Sequence, residues 1–257
     1  MSELTLHERI RNADASQQVE NVKAKHAYLH GRADATGEWS VIWSRSDECS
    51  WAHAFGRMRG FDQVYHGSVG DYDKMCMENW LDLYEVYPEV TGKDPRPLME
   101  CSVHTLVTDV IEVAADGKSA RGCFITPGVI HSRLTADKGE DGKVHRSPKY
   151  CHVLWERYGS DFVCEDGEWK YLHEHVCPDL VGDMDHTNWA ADEYKRITDP
   201  NPGEMMPPTL GCPPVTDPGP MHMPYSVLSL PQNTVPWPEP YETLDNNNTY
   251  TPFRNKK

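Results

Sequence analysis

The stretch YCHVLWERYGSDFVCEDGEWKYLHEHV, residues 150–176, decides the fold. Tyr150 to Cys164 and Glu168 to Val176 are two runs rich in Val, Tyr, Phe and Trp on either side of Glu165-Asp166-Gly167. Such runs around an Asp-Gly pair are the short-range signature of a β-hairpin. The pattern recurs upstream, where Val103 to Val113 and Ala120 to Ile130 flank Ala115-Asp116-Gly117-Lys118. Two hairpins of long strands therefore form an antiparallel meander. The charged, Gly-containing stretch Thr135 to Pro148 between them reads as an exposed loop.

Before these strands the periodicity is helical. From Ala15 to Leu29, Val19, Val22, Ala27 and Tyr28 recur at spacings that fit one helical face, after a polar arm of residues 1–14. Trp39, Ile42 and Trp43 predict a short second helix over Gly37 to Arg45 with its aromatics turned inward. Between Cys49 and Gly56 the period changes to two, so Trp51, His53 and Phe55 share one face of a strand. Met75, Trp80, Leu83 and Val86 mark a third helix over Tyr72 to Tyr87, ended by Pro88. Three helices followed by long antiparallel strands define an α+β domain, residues 15–197. Its curved, cone-shaped sheet is expected to wrap around the helices and close over a small-molecule pocket.

Residues 198–257 differ in kind, because 14 of the 20 prolines fall between Pro200 and Pro252. No packed core forms from such a stretch, yet Met205, Met206, Met221, Met223, Leu228 and Trp237 make it too apolar for a freely solvated linker. The expectation is an extended arm lying on a surface, such as that of a neighbouring subunit in a homo-oligomer (dimer or trimer). The Asn246 to Tyr250 end reads as loose.

Forty acidic against 25 basic side chains give a formal charge of −15, which disfavours nucleic acid as a partner. No apolar run reaches the roughly 18 residues that span a bilayer, and the opening MSELTLHERIRNADAS lacks a basic stretch followed by an apolar one. A cytoplasmic protein without membrane attachment is expected. The 8 cysteines include no CxxC pair, which argues against a zinc ribbon or a thioredoxin-like motif. There is no GxSxG elbow, no phosphate-cradling GxxxxGK[ST] and no GxGxxG after a strand. Proton-transfer chemistry is the simplest enzyme class left.

The order of elements and three local signatures resemble the SnoaL-like branch of the nuclear transport factor 2-like superfamily, over roughly residues 15–195. The signatures are the Trp-rich helix running into Ser46-Asp47-Glu48, the strand entry Ser102-Val103-His104, and Tyr158 followed by Glu165-Asp-Gly-Glu-Trp-Lys-Tyr171. The resemblance implies an open-mouthed α+β barrel, often dimeric or trimeric. Its functions span cofactor-free dehydratases, cyclases, isomerases and lyases as well as binding modules, so the fold alone does not settle function. The long loop before Pro148 and the Pro-rich arm depart from the shortest members.

On that resemblance His104 stands where dehydratase-like members place an acid/base histidine, and imidazole suits the task because it titrates near neutral pH. A structural histidine at a strand end is the alternative. His53, flanked by Trp51 and Phe55, sits near the strand position where isomerase-like relatives carry a carboxylate base. It is either in the cavity or a satisfied core histidine. Asp47 either orients a histidine or lies in a solvated turn, and Tyr28 either hydrogen-bonds substrate, as in the dehydratase-like members, or packs as a core aromatic. Arg59 can hold a phenolate or pair with surface acids, and Glu78 and Trp80 face either the cavity or solvent. His152 and the period-two pair His173 and His175 line the pocket or an interface. A metal site there lacks an identifiable carboxylate, and the resemblance implies none. The resulting expectation is a cofactor-independent lyase on an aromatic or polycyclic hydroxylated small molecule. It would eliminate water or a retro-aldol fragment, such as formaldehyde from a lignin-derived diarylpropane. A double-bond isomerase or cyclase and a non-catalytic binding or assembly module are the alternatives.

Overall fold

The computed structural model describes residues 4–31, 41–53, 56–65, 84–93, 100–132, 136–146, 151–184 and 235–251. Helix α1, Leu6–Gly31, begins inside the stretch read as a polar arm. A capping box starts it: the Thr5 backbone N–H donates to Glu8 Oε2 (2.8 Å), and the Glu8 N–H donates to Thr5 Oγ1 (3.3 Å). Its first turns expose Leu6 and Ile10, so no apolar stripe announced them. The buried face appears only from Ala15, through Val19, Val22, Lys23 and His26.

The sheet has seven strands in the order β2-β1-β9-β8-β5-β3, with β4 also paired to β5. These are β1 (Ser50–His53), β2 (Gly56–Arg59), β3 (Glu100–His104), β4 (Val107–Val113), β5 (Ser119–Ser132), β8 (Cys151–Glu165) and β9 (Glu168–Asp183). Both hairpins formed as the sequence predicts. The β8–β9 turn places Asp166 (φ 51) and Gly167 (φ 84) in the left-handed region that two-residue hairpins demand. The pairing is antiparallel except that β1 runs parallel to β9, so the sheet is mixed.

Three local expectations changed. The long strand from Val103 to Val113 is two, β3 and β4, both lying against β5. The strand expected over Cys49 to Gly56 is shorter, because Gly56 already belongs to the returning β2. The exposed loop between the hairpins contains two short strands, β6 (Ala136–Lys138) and β7 (Val144–Arg146). Of the second helix, Val41 and Ile42 are helical, and Trp43 then bridges to Tyr171 and stacks on its ring. Most of the third lies outside the described residues.

Alternation along β8 sorts side chains onto two faces. Glu156, Tyr158 and Phe162 face α1, where the main core joins Val19, Val22, Trp43, Met58, Phe124, Phe162 and Tyr171. Gly159 and Asp161 face away. That outer face is covered by residues 235–251 of the same chain. Tyr250 and Val235 pack with Cys177 and Cys123, the Ser50 and Thr251 hydroxyls bond at 2.7 Å, and Arg57 donates to the Thr251 carbonyl (3.1 Å). The stretch Asn246 to Tyr250 is therefore not loose: Thr249 and Tyr250 are buried, and the Thr249 hydroxyl and the Tyr250 N–H both donate to Asp161 Oδ2.

Gly159 makes the docking possible, since a Cβ there would sit 2.7 Å from the Tyr250 ring and from Val235 Cγ1. Gly159→Ala is expected to lift the covering segment and cost about 2 kcal/mol in urea unfolding, with faster proteolysis between residues 235 and 251. Unchanged stability and protease resistance would remove this contact from the account.

Candidate active site

A cavity of about 600 Å³ opens between α1 and the ends of β3 and β4, a size that fits a small organic molecule. Lys23, Ala27 and Tyr28 of α1 line one side, and Val103, His104 and Phe124 the other. Gly128 shapes the His104 wall. A Cβ at that position would lie 2.8 Å from the Val103 carbonyl oxygen and 3.3 Å from His104 Cδ2, so the missing side chain lets the imidazole lie close over β5.

Beneath His104 runs a hydrogen-bonded relay. The Tyr158 hydroxyl donates to Glu156 Oε2 (2.7 Å), and His104 Nδ1 stands 3.1 Å from the Tyr158 oxygen. The tyrosine has one proton, and the carboxylate takes it, so the network assigns Nδ1 as the donor to Tyr158. The neutral ring then carries its lone pair on Nε2. Glu156 Oε2 is 3.7 Å from Nδ1, near enough to stabilise an imidazolium.

Burial in this floor shifts the acids. Removal from water raises the Glu156 carboxyl to about 7, with the Glu174 and Asp179 charges adding to the rise and Tyr158 and Lys23 opposing it. Burial, and then the Glu156 charge, holds the Tyr158 hydroxyl well above its ordinary value, so Tyr158 remains a donor. Lys23 and Glu174, each about 1% exposed, form an ion pair of 2.7 Å. The Lys23 ammonium also lies 4.0 Å above the Tyr158 ring and 5.1 Å from the Phe124 ring.

Among the residues singled out from sequence, His104 and Tyr28 meet at this cavity, Tyr28 at its mouth and 77% exposed. Trp51 and His53 point to the α1 side, with ring centroids 5.6 Å apart. However, Trp51 packs into the core, and β9, β8 and β5 stand between β1 and His104. Asp47 is exposed in a turn. Arg59, in register with Ser50, is on the outer face. His173 is also on the outer face: its Nδ1 is 2.9 Å from Asp161 Oδ2, and its Nε2 is 3.0 Å from the Glu48 carbonyl. His152 lies on β8 opposite Ile130, and its side chain is outside the description. Phe55, Glu78 and Trp80 lie outside the described residues.

Lys23, Glu156 and Glu174 were missed as site residues, and Tyr158 appeared only within a family signature. One signal existed, namely a lysine inside the Val19, Val22 and His26 stripe. Among the described residues, no group of three His, Cys, Asp or Glu side chains could hold a metal ion. No described helix is long and apolar enough to cross a membrane.

No family model matches the sequence, and no curated protein matches it. Three solved structures illustrate what it resembles in shape. A nuclear transport factor 2-like superfamily protein from Salmonella enterica serovar Typhimurium is 18% identical, with 65% of this chain and 92% of that one covered and a TM-score of 0.41. A candidate scytalone dehydratase from Novosphingobium aromaticivorans is 12% identical, with 69% and 95% covered and a TM-score of 0.44. A hexachlorocyclohexane dehydrochlorinase (LinA, type 2) is 12% identical, with 73% and 99% covered and a TM-score of 0.42. Likeness at this level leaves substrate and mechanism to be read from the residues themselves.

The raised Glu156 carboxyl predicts a pH-dependent cost in stability. Its ordinary value is 4.5 and its folded value about 7. Below pH 4.5 both folded and unfolded chains hold the proton. As the pH climbs to 7 the unfolded chain releases it first, so folding loses stability across that window and the full penalty stands above it. Glu156→Gln is therefore expected to gain about 3 kcal/mol in urea unfolding at pH 8 and nothing at pH 4. A gain of equal size at both pH values would contradict the raised carboxyl.

Proposed function

We propose that the protein is a cofactor-independent lyase for an aromatic or polycyclic hydroxylated small molecule, with His104 as the acid and base. The observation that carries this reading is the Glu156–Tyr158–His104 relay behind a cavity wall that also presents Phe124 and, at the mouth, Tyr28. His104 Nε2, buried in the cavity wall, takes a proton from a substrate carbon once the ring turns toward the ligand. The charge that develops on the ring is passed to the Tyr158 oxygen through the Nδ1–H and is balanced by ionised Glu156. Nε2 then returns the proton to the departing oxygen, which leaves as water. Tyr28 and Phe124 supply flat apolar surface against which a ring system stacks. A retro-aldol release of a carbon fragment uses the same histidine on a different proton: the base takes the proton of the hydroxyl, the O–H pair becomes the C=O of the departing fragment as the C–C bond breaks, and the enolate left behind takes the proton back on carbon.

A panel of hydroxylated aromatic dimers and polycyclic alcohols, assayed for water, formaldehyde or conjugated-alkene release, tests the reading. His104→Ala is expected to lower kcat about 1,000-fold on any member turned over. The wild type should show an acid limb in kcat/KM near pH 7, where Glu156 gains its proton, and Glu156→Gln should lose that limb along with most of the rate. Equal turnover by wild type and His104→Ala would remove His104 from the chemistry.

A further inference from the structure

Residues 235–251 cover one part of the outer face of the sheet, and beside them the strands carry apolar side chains. Val103 of β3 stands opposite Val129 of β5, which stands opposite Val153 of β8. Val107 stands opposite Ile125, and Trp155 follows Val153 two positions on, on the same face. Val103 is 49% exposed, Val107 43% and Trp155 46%. Large apolar side chains gathered on one face mark a surface made for contact.

The chain borders this patch on both sides. After β9 the Met184 N–H donates to the Cys151 carbonyl (2.9 Å), so the chain leaves the sheet at the start of β8. It returns at Val235, which packs over Gly159 and Cys177. From there it runs toward the far end of β8, because the Tyr241 hydroxyl is 3.3 Å from Ser119 Oγ and Ser119 pairs with Val163. In Val235-Pro236-Trp237-Pro238-Glu239-Pro240 every second residue is proline, which confines the residue before it to extended backbone. Burial of Val235, Pro238 and, in part, Tyr241 follows the three-residue turn of that conformation. The segment is straight, and its line carried upstream passes over Arg157, Trp155 and Val153. Arg157 is no obstacle, since Asp179 pairs with it at 2.6 Å. From Gly159 to Val153 is about 20 Å of strand, which about seven extended residues cover. Counted back from Val235, that length ends at Leu228 and includes Leu230.

We propose that this patch is a docking surface for the chain's own residues 225–234, which lie outside the described residues, with Leu228 and Leu230 set against Trp155 and Val153. The occupant follows from where the chain departs and where it returns: a second copy would have to share the face with a chain that already flanks it at Cys151 and at Gly159. The surface continues the apolar contact that Val235 and Tyr250 make with Cys177 and Cys123. The proposal stands apart from the lyase reading. It does touch the same strand, because the row ends on Val103, the neighbour of His104 on β3, so the covering buttresses the strand that holds the histidine.

Photocrosslinking on the full chain tests this. The photoreactive residue p-benzoylphenylalanine replaces Trp155 or, in a second protein that guards against misfolding of the first, Val153. Light and 15N-labelled copies are mixed in equal amounts, irradiated and digested, and the joined peptides are identified by mass. The expected result is crosslinks to residues 225–234 with both peptides light or both heavy. Mixed light and heavy pairs would show a second copy on the face and overturn the proposal, as would crosslinks to any other segment or none at all. Hydroxyl-radical labelling of the double variant Leu228→Asp/Leu230→Asp gives an independent readout. Trp155 and Val153 should lose protection while Tyr250, held through Asp161, keeps it. Unchanged protection at Trp155 and Val153 also overturns the assignment.

Discussion

The Lys23–Glu174 ion pair is the constraint on which the other features hang. It joins the middle of α1 to the inner face of β9 across 2.7 Å, with both groups sealed from water. Removing one partner strands a buried charge, which typically costs 3–5 kcal/mol, so the pair fixes the helix over the sheet more tightly than apolar contact alone. An apolar stripe tolerates a slide or a small rotation, whereas a buried salt bridge does not. With α1 held at Lys23, the ammonium sits over Tyr158, and the helix stands off β3 by the width of the cavity. The raised Glu156 carboxyl follows first from the same burial, to which the Glu174 charge adds and which Lys23 opposes.

How much of this could be read from the sequence depends on the kind of signal. The β4–β5 and β8–β9 hairpins were legible because each couples strand-forming runs to an Asp-Gly turn. His104 was legible through the strand entry that carries it. Side-chain facing was not, and β9 shows why. Strict alternation puts Trp169, Tyr171, His173 and His175 on one side, but the register shifts between Asp161 and Phe162, where Leu172 is an extra residue on β9. That bulge sends His173 and His175 outward and turns Glu174 inward. A one-residue insertion thus exchanged an expected pocket histidine for an unexpected buried acid. Lys23 and Glu156 were hidden for a different reason: charged residues are ordinarily read as solvent-facing, and only the partner across the fold makes their burial tolerable.

The sheet carries a polar layer on each face, and the two are kept apart by strand alternation. Inside, Glu156 and Tyr158 lie behind His104, which lines the cavity. Outside, Asp161 gathers His173, Thr249 and the Tyr250 N–H, while Arg121 stands 3.5 Å from its other oxygen and stacks at 4.4 Å on the Tyr250 ring. Asp161 is a structural acid, three strand positions from the inward-facing Tyr158, and it joins His173 and Arg121 of the sheet to the covering segment. One strand, β8, therefore supplies both Glu156 and Tyr158 of the inner hydrogen-bonded network and the anchor.

The position of that anchor along the chain sets an order of events. Thr251 bonds back to Ser50 and Arg57 across 201 and 194 positions, so these contacts are among the most distant in sequence that the described residues make. The entropy of closing so long a span grows only as the logarithm of its length, which makes the contact affordable at equilibrium. It is nevertheless a slow one to find, because non-local contacts form after local ones. Synthesis runs in the same direction: β8 and β9 exist as chain before Thr249 does. In a nascent chain Asp161 and His173 face water, and the outer surface of the sheet is finished last.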